Sequence, residues 1–125
     1  DENKDKNEVY ESCTKIYFDF YKNITGIKPT FGGAQGSNLK KLLVSIDKTL
    51  TENEMELTNE NRINSFDALL HSLPKWYKEH LDINLINSKY DTLIIEIRSK
   101  SGAGQQNDWQ DILTKRSRER TGNTG

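Results

Sequence analysis

The chain of 125 residues has one cysteine, Cys13, two prolines, one methionine and no apolar run near the roughly 18 to 20 residues that a membrane-spanning helix needs. A single thiol makes no internal disulfide, and without a CxxC pair or a Cys/His cluster there is no structural zinc signature. His71 and His80 are the only histidines, and their spacing matches no zinc motif. The first eight residues, DENKDKNE, contain no apolar side chain and so lack the core of a signal peptide. These absences predict a soluble, cytoplasmic chain with no membrane partner, no metal and no cofactor. The opening residue is Asp and not Met, which reads as either a fragment of a longer protein or a processed product, the fragment being the favoured expectation.

Only 33% of the residues are hydrophobic and 30% are charged, so part of the length is expected to stay outside the core. The composition and length fit one domain. We read residues 1–6 as a disordered tail, 7–100 as a helical domain and 101–125 as a mostly disordered basic tail, in which Trp109 to Leu113 can form a helical turn and disorder is expected after Leu113.

What is present is helical periodicity. Val9, Tyr10, Cys13, Ile16, Tyr17, Phe20, Tyr21 and Ile24 recur in steps of three and four, one face of a helix over residues 7–24. Gly26 and Pro29 then supply a stop. The stretch TGIKPTFGGAQG is too rich in glycine to hold regular structure, and Ser37 or Asn38 can cap a second helix to residue 50 on Leu39, Leu42, Leu43, Ile46 and Leu50. A third helix is predicted over residues 58–73 on Ile63, Phe66, Leu69, Leu70 and Leu73, with Pro74 ending it or opening a short helix. A fourth covers residues 84–98 on Ile86, Tyr90, Leu93, Ile94 and Ile97. TENEMEL stays open between linker and helical turn. The fold class is therefore all-α, a compact bundle of about four main helices with disordered ends.

The chemistry-bearing patterns are sparse. Gly32, Gly33 and Gly36 suggest a phosphate cradle, but Gly36 is followed by Ser37 and Asn38 where a P-loop needs lysine and Ser/Thr. No strand precedes the loop, as a dinucleotide fingerprint would require. Gly33-Ala34-Gln35-Gly36 matches the GxxG of KH domains, yet the sheet of that fold has no counterpart here. Gly26, Pro29, Gly33 and Gly36 thus read as turn and helix-start residues. Glu52, Glu54, Glu56 and Glu60 read as a solvated acidic linker, and Cys13 as a buried thiol. Aromatic residues at helical spacing read as core, with Phe18 beside the stripe and available to a partner.

Charge is more informative. Residues 25–50 carry four Lys and one Asp, a net +3, and residues 98–125 also carry +3, in a chain whose net charge is −1. Lys28, Lys40, Lys41 and Lys48, and separately Lys115, Arg116, Arg118 and Arg120, are the candidate nucleic-acid-binding residues. No cluster supplies a paired acid and base or an activated nucleophile, so the chain reads as non-enzymatic.

The segments IYFDFYKNITGIKPTFGGAQGSNLKKLL, LPKWYKEH and INSKYDTLIIEIRSK, within residues 16–100, resemble a C-terminal helical module of bacterial and phage replication-organiser and helix-turn-helix DNA-binding proteins. The resemblance implies a helical accessory module attached to a DNA-binding domain elsewhere, and does not imply that this module itself touches DNA. The leading reading of the chain is a non-enzymatic module that binds a partner protein or nucleic acid. The alternative is a structural or oligomerisation domain that binds no nucleic acid.

Overall fold

The computed structural model describes residues 2–100 and 108–121, with side chains given for 7–99 and 109–116. Seven helices and no strand occur among the described residues: α1 (Glu2–Thr25), α2 (Gly33–Glu52), α3 (Asn59–His71), α4 (Lys75–Glu79), α5 (Ile83–Ser88), α6 (Tyr90–Lys100) and α7 (Asp108–Thr121).

The stripe on α1 buries Val9, Cys13, Tyr17 and Phe20. The helix stops where Gly26 turns left-handed at φ +80°, its amide closing back on the Lys22 carbonyl at 2.8 Å. An L side chain is disfavoured there, so this glycine is needed for its backbone freedom. Pro29 is buried beyond the turn, and Phe31 folds back to 5.5 Å from the Phe18 ring and 6.1 Å from Tyr17.

Gly32 caps α2, with its amide bonded to the Gln35 side-chain oxygen at 2.8 Å. A Cβ on Gly36 would lie 2.6 Å from the Tyr10 hydroxyl, so the absence of a side chain here leaves room for the end of the tyrosine where α1 meets α2. Leu39, Leu42, Ile46 and Leu50 face inward. The helix ends at Glu52, and the undecided TENEMEL segment becomes its last turn and a connection containing Glu54 at φ 59°. The Thr58 side chain then caps α3, accepting from the Asn61 amide at 3.0 Å.

α3 is the centre of the bundle. Six consecutive residues, Ser65 to Leu70, are buried, which covers the full circumference of a helix. α1, α2 and α7 pack around it, while α5 packs on α2.

Two expectations are corrected. The helix expected over residues 84–98 is divided into α5 and α6 at Lys89, whose φ −109° and ψ 16° leave the helical region. Ile83, Ile86, Tyr90, Leu93 and Ile97 are buried on both sides of the break, so apolar phase alone conceals it. The second correction concerns the ends. Helix α1 already begins at Glu2, and residues 108–121, where only a helical turn around Trp109 to Leu113 was expected with disorder after it, form α7. Trp109 is fully buried and Leu113 is buried with it. The Trp109 indole N–H donates to Ser65 Oγ at 3.0 Å, and its backbone N–H donates to Asn53 Oδ1 at 3.2 Å. One large aromatic with satisfied donors thus anchors an otherwise polar helix. Residues 101–107 and 122–125 of the expected tail lie outside the described residues.

Candidate interaction face

The inward stripe of α2 fixes which of its residues look outward. Lys40, Lys41, Val44 and Lys48 are all exposed, Val44 to 70%. Lys41, Val44 and Lys48 share one face at i, i+3 and i+7, and Lys40 borders it four residues before Val44. Lys40 Nζ lies 5.4 Å from the centre of the Tyr10 ring of α1, a cation–π distance. Neither it nor Lys28, Lys41 or Lys48 has an ion-pair partner among the described residues. Lys28 is exposed in the α1–α2 connection, apart from the α2 row in sequence.

Between the N-terminal half of α1, α2 and the start of α3 lies a groove of about 620 Å³. Val9, Leu43 and Val44 form its apolar wall, and Tyr10, Lys40, Asp47 and Arg62 its polar one. Arg62 Nε reaches Asp47 Oδ1 at 2.7 Å and Nη2 reaches Oδ2 at 3.4 Å, which neutralises the one acidic residue lining the groove among the described residues. Among the described residues Lys40 is the remaining uncompensated charge in the lining, which is apolar with a cationic edge.

The expected residues of the second basic segment separate. Lys115 is exposed on α7, whereas Arg116 Nε is held at 2.8 Å by Asp67, itself buried in α3 and 3.4 Å from His71 Nε2. Arg116 therefore serves the attachment of α7. Arg118 and Arg120 fall on the last turns of α7, and their side chains lie outside the described residues. Gly33 and Gly36, read as turn and helix-start residues, lie in the first turn of α2. Phe18, expected to be exposed, is half-buried against Phe31.

Ionisation points away from the groove. Burial pushes the Cys13 thiol up to about 12, and burial together with the charge of Asp82 pushes the Tyr17 phenol up to about 12. Burial also raises Tyr90 well above the usual phenol range, against the pull of the Thr49 hydroxyl 2.6 Å away. All three are core groups, and none lines the groove. Among the described residues no three His, Cys, Asp or Glu side chains could hold a metal ion, and no helix is long and apolar enough to cross a membrane.

Tyr10, Asp47 and Arg62 were not singled out by the sequence as site residues. Their signal is the register of α1 and α3 against α2, which no local pattern contains. Comparison of the chain with protein-family models, with curated proteins and with solved structures finds no match.

Proposed function

We propose that the chain is a non-catalytic binding module that meets an anionic partner through the outer face of α2. The observation that carries this reading is the row of Lys40, Lys41 and Lys48 without ion-pair partners among the described residues, beside a groove in whose described lining the one carboxylate, Asp47, is held by Arg62. A cluster of uncompensated cations on one helix face is the electrostatic footprint of binding to an anion. The location of the shifted thiol and phenols in the core, away from this face, supports a role without acid–base chemistry. The resemblance to replication-organiser and helix-turn-helix proteins supports a place as an accessory module beside a DNA-binding domain.

The test is retention on heparin and binding to a DNA duplex across a salt series. The wild-type chain is expected to bind at low salt, and Lys40→Gln with Lys41→Gln to weaken binding to all DNA sequences alike, lowering the salt slope by about one per lost phosphate contact. Unchanged retention in the lysine variants would remove α2 from the contact. A second reading, self-association, is favoured by Ile95, which is 69% exposed on α6. Sedimentation over a concentration series, repeated with Ile95→Asp, decides it.

A further inference from the structure

We infer that the groove beside the α2 lysine row receives an acidic amphipathic helix from a partner protein, which inserts an apolar side chain between α1 and α2 and sets a carboxylate on Lys40. The inference rests on the proposed reading of α2 as the contact face and adds the chemistry of the partner.

Three features select this occupant. First, the groove is walled by Val9, Leu43 and Val44, and its volume of about 620 Å³ is far more than ordered phosphates on a lysine row would use. An apolar side chain fills such a space favourably, whereas a duplex backbone offers nothing to put there. Second, the charges are complementary in position as well as sign. Lys40 sits at the lip with its ammonium over the Tyr10 ring, which holds the cation where a carboxylate can pair with it, and the Arg62–Asp47 pair on the same polar wall leaves no uncompensated carboxylate among the described lining residues. Third, Lys41 and Lys48 continue the cationic edge along α2 for two turns, about 10 Å at the helical rise. A ligand with carboxylates at i and i+7 matches that pitch, and helix-in-groove docking is read through anchors at this spacing. A small carboxylate reaches only the Lys40 end.

The test pans a randomised library of about 16-residue peptides, displayed as helices, against the full chain and remeasures the winners as fluorescein-labelled peptides. The expected winners carry Asp or Glu and an apolar residue on one helical face. Val44→Ser removes apolar contact without altering charge, and as an exposed position it is expected to leave the melting temperature unchanged. It should weaken the winners by about tenfold, and Lys40→Gln by about tenfold or more, while heparin retention of the Val44→Ser chain stays at the wild-type level. Winners rich in Lys or Arg, no winners at all, or winners that bind Val44→Ser as tightly as wild type would overturn the inference. If any of these occurs while the lysine variants still lose DNA or heparin binding, the α2 face stands and nucleic acid is its occupant. If the lysine variants also lose nothing, the reading of α2 as the contact face falls with it.

Discussion

At the Tyr10–Gly36 contact, two local rules oppose each other and the outcome is measurable. Alanine is the better helix former, so in an open helix Gly36→Ala would stabilise by about 1 kcal/mol. Here the new Cβ would meet the Tyr10 hydroxyl at 2.6 Å, with the next atoms at 3.8 Å. We expect Gly36→Ala to destabilise by about 1–3 kcal/mol in urea unfolding and the same change to become neutral or stabilising in a Tyr10→Phe background, where the offending oxygen is gone. Destabilisation of equal size in both backgrounds would place the clash elsewhere. Trp109 offers the complementary case of a cavity. Trp109→Ala should cost about 3–5 kcal/mol, and Trp109→Phe less, with the difference shrinking when Ser65→Ala removes the indole's partner. Neither the Tyr10–Lys40 contact nor the Trp109 slot was legible in the sequence, because each joins positions whose neighbourhood depends on how separate helices are docked.

The helices themselves were more legible. The stripes of α1 and α2 repeat at 3.6-residue spacing, and one inward face each is what these helices bury, so period and position agree; the apolar spacing of α3 showed a helix but not that Ser65 to Leu70 are buried all round. The divide between α5 and α6 was hidden because the stripe keeps its phase across Lys89. Of α7 the sequence showed only a turn around Trp109 to Leu113, because the rest of its composition is polar and its attachment depends on how Trp109, Leu113 and Arg116 meet α3. The lysines of α2 were legible as a basic segment, but their lack of ion-pair partners among the described residues and the adjoining groove were not. The connection before α2 separates two uses of glycine that sequence alone treats alike. Gly26 has φ +80°, whereas Gly33 has an ordinary backbone and nothing within 4 Å of the place a methyl group would take. Gly26→Ala should lower stability by about 1–2 kcal/mol and Gly33→Ala should leave it equal or raise it by up to about 1 kcal/mol, measured side by side by thermal unfolding. A matching loss at both would mean that the left-handed turn at Gly26 contributes nothing special.

For the molecule as a whole, α7 closes the core over α3. A chain ending at residue 107 loses Trp109 and Leu113 and removes hydrogen-bond or ion-pair partners from Asn53, Ser65 and Asp67. Each such loss costs about 1–3 kcal/mol, against a usual total stability of about 5–15 kcal/mol. The shortened chain should therefore melt far below the full one by circular dichroism, whereas removal of an unattached tail would leave the midpoint where it was. Alkali probes the same core from another side. Cys13 and Tyr17 hold their protons up to about 12 in the folded chain but release them at the ordinary thiol and phenol values when unfolded. Above those ordinary values the unfolded state binds fewer protons than the folded one, so stability is full below about pH 8.5 and falls as pH rises towards 12. Urea midpoints across that range should decline, and Cys13→Ala should flatten the lower part of the decline.

The anchoring of Trp109 to Asn53 and Ser65 also bears on how the chain is made. A ribosome releases the helices in order, and the pocket on α3 is complete in its walls long before the residue that fills it emerges. Until then the nascent chain holds an open apolar socket with its polar rim unmet, the kind of surface that chaperones recognise and that neighbouring nascent chains stick to. A stalled chain that has not yet exposed α7 should therefore be protease-sensitive where the full chain is resistant.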